Sequence, residues 1–413
     1  MSEHGAEAVS AGVDDSGHVE AGTPAYRRAN LAMFVGGFAT FAMLYGTQPI
    51  LPMLRDAFTI SPAAASLSVS AGTAALALFL IPASVLSDRI GRMRVMKASL
   101  TLAALVSLAS PFVTGFDQLL ALRALLGVAL AGLPAAAMAY LGEEIAASAQ
   151  GRAMGLYIAG NALGGMSGRF LSALVAEWSS WRVALAVLGV LGCIAAVVFW
   201  RSLPASRHFT ARAAHPARIL SDARSLLADK AMPWLFLTAF LLMGAFIGLY
   251  NYLGFRLMEA PFGLSQATIG AIFGLYLIGT WASAWGGQLA DRHGRRNVLW
   301  IMVGVMAAGL AITVLQSLPV IIGGVAVFTF GFFAAHSVAS GWVGRRAHER
   351  RALAAALYLT SYYLGASIIG TVSGLAWTSG GWNGVAAVLA CCVLATLLLA
   401  GLHLRRMVPS GRD

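Results

Sequence analysis

Ser87-Asp88-Arg89-Ile90-Gly91-Arg92 and Ala290-Asp291-Arg292-His293-Gly294-Arg295-Arg296 are near-copies of one short charged motif. Their aspartates, Asp88 and Asp291, are 203 residues apart in a chain of 413. Each copy follows a long apolar run and precedes another, the mark of a duplicated membrane bundle. Other features repeat at an offset near 202: Gly142-Glu143-Glu144 matches Gly344-Arg345-Arg346, Gly151-Arg152 matches Arg350-Arg351, and Trp181 matches Trp382. One such match between apolar helices arises by chance; several at one offset do not. The chain therefore reads as an all-α membrane protein, twelve transmembrane helices in two pseudo-symmetric six-helix halves. That architecture suggests a transporter.

Composition agrees. The chain is 59% hydrophobic and 11% charged, where a soluble protein is about a quarter charged. Mean hydropathy is +0.76. Twelve apolar runs are long enough to cross the hydrocarbon: 31–52, 64–86, 95–114, 118–142, 152–175, 182–201, 233–256, 267–289, 297–316, 319–342, 352–377 and 382–403. The net charge of +11 does not point to nucleic acid, because its distribution follows the membrane. With a cytoplasmic N-terminus, 23 of the 28 Lys and Arg fall on cytoplasmic segments. Arg55, Arg182 and Arg256 fall outside, and Arg123 and Arg169 lie within spans. This bias puts both termini in the cytoplasm; the expected setting is the inner membrane of a bacterial cell.

Residues 1–28 read as a disordered cytoplasmic tail, since the first 25 hold five acids and no Lys or Arg. No basic start precedes the first apolar run, so they do not read as a signal peptide. The two halves are 29–201 and 233–404. The connector 202–232 is basic, with an amphipathic helix expected at 217–229 on the membrane surface. Residues 405–413 form a short cytoplasmic tail. Cys193, Cys391 and Cys392 lie in spans and read as small apolar residues, not as metal or redox ligands.

At the charged loops the chain resembles the major facilitator superfamily. The family pattern Gly-x-Leu-Ala-Asp-Arg-x-Gly-Arg-Arg is met fully by residues 287–296. Residues 84–93 fit with departures: Ser84, Ser87 and Met93 replace Gly, Ala and the last basic residue. Arg123-Ala124-Leu125-Leu126-Gly127 fits the family's Arg-x-x-x-Gly on span four. Gly160-Asn161-Ala162-Leu163-Gly164-Gly165 is similar to the glycine-rich span-five motif of the drug–proton antiporter branch, with Asn161 where that branch has proline. The stretches Leu44 to Pro49 and Gly160 to Arg169 look most like the YnfM-type permeases, whose ill-defined substrates supply no ligand. The resemblance covers residues 30–405.

The resemblance implies that Asp88 and Asp291 each lie near the first turn of a helix in the opposite half, spans eleven and five. There a carboxylate gains about 0.3–1 kcal/mol from the helix dipole. Arg351 and Arg152 open those helices and would join the pairs, while Arg92 and Arg295 flank the motif turns. The inner ends of spans four and ten are expected to approach when the cytoplasmic side closes. Glu143 and Glu144 would then attract Arg345 and Arg346; local pairing of the same charges is the alternative.

Ionisable groups within spans are few: Arg123, Arg169 and His336. An intramembrane charge costs about 3 kcal/mol on insertion scales, so each needs a partner or a wet cavity. The resemblance makes Arg123 a coupling or gating residue, with a structural hydrogen-bonding role as the alternative. Arg169 binds an anionic ligand, or pairs with Glu177 or an outer-loop carbonyl. His336 carries a proton or is satisfied structurally. Together with Tyr45, Gln48, Asn161, Tyr250, Asn251, Tyr252, Tyr276 and Tyr362, these residues form the expected substrate site. Tyr358 and Tyr363 are further aromatics on span eleven. Many rings and few polar groups suit an amphipathic organic solute.

There is no Walker A, no His/Glu metal spacing and no nucleophile elbow, so no enzyme activity, catalytic residue, metal or cofactor is expected. The function read from the sequence is secondary active transport of a small organic solute by alternating access, as proton-coupled efflux and as a monomer. Proton-coupled uptake of an organic anion is the alternative. A non-transporting membrane sensor is a third reading, against which stands the lack of chain for an output domain.

Overall fold

The computed structural model describes residues 17–211, 216–347 and 350–403. The expectations for residues 1–16, for Arg212 and for the tail 405–413 lie outside them.

The N-terminal half opens with α1 (Pro24–Tyr45). Thr23 caps it by accepting the Tyr26 N–H, and Pro24 fills a first-turn position whose N–H would lack a partner. The short α2 (Leu51–Phe58) leads to α3 (Pro62–Ile90), started by the same device with Ser61 and Pro62. Then follow α4 (Arg92–Ala109), α5 (Phe116–Leu130), α6 (Gly132–Glu144), α7 (Ala147–Trp178) and α8 (Trp181–Ser202). The connector carries α9 (Pro216–Leu227), which overlaps the stretch 217–229 where the amphipathic pattern predicts a helix. The C-terminal half runs α10 (Met232–Met258), α11 (Gln266–Ile272), α12 (Tyr276–His293), α13 (Arg295–Ile312), α14 (Leu318–Arg346) and α15 (Arg351–Leu398).

Single glycines turn the chain at both charged motifs. Gly91 (φ 107°) is the one residue between α3 and α4, and Gly294 (φ 82°) between α12 and α13. An L side chain is strained in that region. Among the described residues, nine helical segments are long and apolar enough to cross a membrane. Pairs α5–α6 and α11–α12 each count once, as does α15, although Gly381 (φ 54°, ψ −140°) divides α15 into two helices. α1 and α7 fall outside that count. Arg27, Arg28 and Asn30 open α1, and Gln150, Arg152, Asn161 and Arg169 interrupt α7. With α15 divided and these two added, there are twelve spans.

The halves pack alike. α1 lies on α7 as α10 lies on α15; α3 lies on α5 as α12 lies on α14; α4 lies on α8 as α13 lies on the later part of α15. Glycines make the first contact close. Gly160, Gly164 and Gly168 are spaced by four on one face of α7, and a Cβ there would meet the Phe34 carbonyl at 2.5 Å, the Phe38 carbonyl at 2.0 Å and Ala42 Cα at 2.4 Å. In the other half, a Cβ on Gly365 would meet the Phe240 carbonyl at 2.0 Å.

One end of the bundle is closed between the halves. At the end carrying α2, Arg55 pairs with Glu259 (2.9 Å), Gln266 Nε2 donates to the Pro49 carbonyl (2.7 Å), and the Ala267 N–H donates to Glu177 (3.1 Å). Deeper, Ser70 and Ser367 each donate to the other's carbonyl at 3.0 Å. At the end carrying α9, the ion pairs found run within a half or to the connector. The molecule is thus sealed at the α2 end.

The expected disorder up to residue 28 is corrected from residue 17 onward. Val19 N–H donates to the Glu144 carbonyl (2.9 Å) and its carbonyl accepts from Ala146 N–H (3.1 Å), so a short arm docks beside α6 before α1 begins. A buried apolar side chain at position 19 explains the docking.

Candidate substrate cavity

A cavity of about 520 Å³ lies between the halves, walled by α1, α7, α10, α12, α14 and α15. Its size and mainly apolar wall with few polar groups are those of a small-molecule site. Six of the expected residues line it: Tyr45, Asn161, Arg169, Tyr276, His336 and Tyr362.

Arg169 is its charged centre. The side chain is 2% exposed. Nε donates to Gln48 Oε1 at 2.5 Å and an Nη donates to the Gly165 carbonyl at 2.6 Å. The guanidinium lies over three rings, 4.1 Å from Tyr45, 4.9 Å from Tyr276 and 5.4 Å from Phe273. Such contacts contribute about 0.5–1 kcal/mol each when exposed and about 2 when desolvated. Among the described residues no carboxylate pairs with Arg169. Glu177 instead accepts from the Ala267 N–H in the seal. The hydroxyls of Tyr45 and Tyr276 are buried and make no hydrogen bond among the described residues. The rings balance the arginine, and no acid among the described residues compensates its charge.

His336 lies on the α14 wall. Its Nδ1 is 2.9 Å from the Tyr358 hydroxyl, and its ring packs on Phe332 and Tyr362. Phe246, Phe332 and Phe333 complete an aromatic cluster with Tyr276. These phenylalanines, with Ser283 and Ser337, were not singled out in the sequence. Phe332, Phe333 and His336 share a helix face by spacings of three and four, which is the signal that could have found them.

Other expected site residues lie elsewhere. Gln48 and Asn251 form a second layer, joined by a 2.8 Å bond from Gln48 Nε2 to Asn251 Oδ1. Tyr250 backs Tyr276 and bonds Thr329 at 2.8 Å. Two expectations are corrected. Tyr252 is fully buried against Phe255 and Trp377, away from the cavity. Arg123, 3% exposed, is a helix cap: it donates to the carbonyls of Ser68 (2.7 Å), Met43 (2.9 Å) and Leu44. The last two are end carbonyls of α1 that lack helical partners, and a cation there also meets the negative end of the dipole.

The charges at the α9 end pair locally. Arg92 joins Asp88 and Glu143 (3.0 Å), and Asp291 joins Arg295 (3.0 Å) and Arg345 (2.8 Å). Arg346 holds Asp229 with two bonds, of 2.7 and 3.1 Å. Burial raises the Asp229 carboxyl, but Arg346 and the Ala231 and Met232 N–H groups outweigh it and hold it below its ordinary value. Arg152 and Arg351 are exposed at the starts of their helices. For Glu144 the local alternative is the one seen in this structure. It is buried and anchors the connector, accepting from Ser206 Oγ (2.5 Å) and the N–H groups of Arg207 (2.9 Å) and His208 (3.1 Å). Burial raises this carboxyl, but those hydrogen bonds outweigh it and leave it below its ordinary value.

The model of the Major Facilitator Superfamily matches residues 33–260 and again 257–412. The chain is 46% identical over 388 residues to the inner membrane transport protein YnfM of Escherichia coli (strain K12), covering 94% of this chain and 93% of that protein. It is 42% identical over 398 residues to the uncharacterized MFS-type transporter YybF of Bacillus subtilis (strain 168), covering 96% and 98%. Among solved structures, a bacterial homologue of the human lysosomal transporter Spinster superposes with a TM-score of 0.74 at 15% identity, over 94% of this chain and 100% of that one. At that identity the likeness concerns the fold.

Proposed function

The chain belongs to the major facilitator superfamily of membrane transporters, and from that premise we propose that it carries a small organic anion with an apolar body across the inner membrane. The carrying observation is Arg169: a buried cation on the cavity wall, ringed by aromatics and without an acidic partner among the described residues. An anion would supply the missing charge, and the rings of Tyr45, Tyr276 and Phe332 would cover its apolar part. The unpartnered tyrosine hydroxyls would offer it hydrogen bonds. The inner-membrane setting rests on the name of YnfM and on the bias of Lys and Arg, which puts both termini and the α9 end in the cytoplasm.

Transport would be by alternating access, with the sealed α2 end facing outward. The direction we favour is efflux driven by protons, on the strength of the glycine-rich face of α7. His336 is the imidazole on the cavity wall and the proposed proton carrier. Uptake of the anion with a proton is the second reading, favoured by a cavity whose fixed charge is a cation. In the gate, Asp88, Arg92 and Glu143, and Asp291, Arg295 and Arg345, would hold helix ends within each half. Arg152 and Arg351 would meet the motif aspartates as the cytoplasmic side closes.

Thermal unfolding of the purified protein with paired carboxylates and their neutral amides tests the ligand class. A ligand at a hundred times its dissociation constant adds about 2.7 kcal/mol. Carboxylates should stabilise the protein, amides should not, and Arg169→Gln should remove the effect. Equal stabilisation by the amides rejects an anionic ligand. Flux into or out of vesicles under an imposed pH gradient then gives direction, and in His336→Ala exchange should persist while pH-driven accumulation is lost.

A further inference from the structure

Gln48 lies in the turn between α1 and α2, 1% exposed, and outside the cavity wall. Its amide faces two ways. Oε1 accepts from Arg169 Nε at 2.5 Å, and Nε2 donates to Asn251 Oδ1 on α10 at 2.8 Å. A guanidinium can only donate, so Arg169 dictates which end of the Gln48 amide turns toward it and which crosses to the other half. Asn251, also 1% exposed, answers with its oxygen, leaving Nδ2 without a partner among the described residues.

Position adds to this. Gln48 and Asn251 are 203 residues apart, the spacing of Asp88 and Asp291. They therefore hold equivalent places in the two repeats and touch across the axis relating them, as equivalent residues do at a two-fold interface. The neighbouring Pro49 carbonyl accepts Gln266 in the seal at the α2 end. One amide thus links the charge of the cavity to the contact that keeps this end shut.

We propose that Gln48 is a positioning residue that couples the cation of the site to the outer seal. Its oxygen aims the remaining N–H groups of Arg169 at the cavity, and its nitrogen holds Asn251 of the opposite half. Opening the α2 end must part Gln48 from Asn251. The ligand side of this proposal rests on the anion-site reading above; the seal side stands on the cross-half bond alone.

Three variants separate the two roles. Asn251→Leu removes the seal bond and leaves Gln48 on Arg169. Gln48→Leu removes both bonds. Gln48→Glu places a carboxylate against Arg169, and Asn251 can turn its idle Nδ2 toward it, which keeps the seal and cancels the site's charge. Spin labels on Asp117→Cys and Gln316→Cys, with the native cysteines replaced by serine, report the distance across the α2 end. Benzoate, with thermal unfolding as readout, reports the anion site. The two leucine variants should raise the population open at the α2 end about two- to tenfold, the range of one net hydrogen bond. Gln48→Glu should match the native distances and lose stabilisation by benzoate, while Asn251→Leu keeps it. Unchanged distances in both leucine variants overturn the seal role. Benzoate stabilisation surviving in Gln48→Glu overturns the link to the site's charge. If benzoate fails to stabilise even the native protein, the ligand side falls along with the anion reading, and the distances still decide the seal.

Discussion

The two halves carry the same tie at their α9 ends with the charges exchanged. In the N-terminal half the base of the motif, Arg92, holds the acid that nearly ends α6, Glu143. In the C-terminal half the acid of the motif, Asp291, holds the base that nearly ends α14, Arg345. In each tie a charge near a helix end meets one of opposite sign, with the order exchanged. Solvent separates the two ties. The Arg92 and Glu143 side chains are 9% and 30% exposed, against 61% and 56% for Arg345 and Asp291. Water therefore screens the second tie far more than the first. In backbone packing, by contrast, the halves agree.

The largest expected effect probes that agreement. Gly164→Ala and Gly365→Ala each drive a Cβ into a facing carbonyl and should destabilise by about 1–3 kcal/mol or more. Gly304→Ala, where nothing lies within 4 Å, should be neutral or better. Chemical unfolding in detergent compares the three, and a mild Gly365→Ala would break the packing symmetry.

Next comes the inequality of the ties. Arg92→Gln should cost about 1.5–3 kcal/mol, as for hydrogen bonds to charged groups. Arg345→Gln should cost about 0–1 kcal/mol and less still in high salt. Equal costs would mean that exposure does not set the difference.

A smaller effect follows from Glu144, which has no counterpart of its kind, since the matching Arg346 is paired with Asp229 and half-buried. Its folded carboxyl lies below the ordinary value of 4.5. The stability it contributes is therefore complete above that value and drains away as pH falls through the lower folded value. Native protein should lose thermal stability more steeply than Glu144→Gln as pH drops from about 5 to 3. Parallel curves would show that the connector anchor does not depend on the charge.

The smallest effect sharpens the point about order. Asp291→Arg with Arg345→Glu reverses the C-terminal tie to the N-terminal pattern. The double variant should recover about 0.3–1 kcal/mol relative to the sum of the singles. Arg295 would then face a like charge at position 291, so recovery should be incomplete; none at all would show that order matters.

Much of the architecture was legible from residues. The paired motifs, the common offset and the placement of Lys and Arg led to twelve spans and two halves, because each reflects periodicity along the chain. The site was legible only in part. Arg123 and Arg169 look alike in sequence, lone cations in apolar helices. One turns to the open end of α1 and caps carbonyls; the other turns to a nest of rings. That choice depends on how each helix is rotated against its neighbours, which no local pattern records. Tyr252 and Tyr250 are two residues apart and so face different ways, yet sequence grouped them. Glu144 looked like a surface charge because the strap that buries it, residues 206–208, comes from sixty positions later in the chain.

The glycine face of α7 has a mechanical consequence. Where Gly160, Gly164 and Gly168 meet α1, backbone touches backbone, and no rotamer stands between them to yield. Side-chain interfaces absorb small displacements by repacking; this one has nothing to repack. α1 and α7 therefore travel as one stiff beam, and Gly365 welds α10 to α15 in the same manner. A displacement imposed at one end of such a beam moves the pair together rather than being absorbed between its members, so each half acts as a lever whose stiffness is set by the absence of side chains.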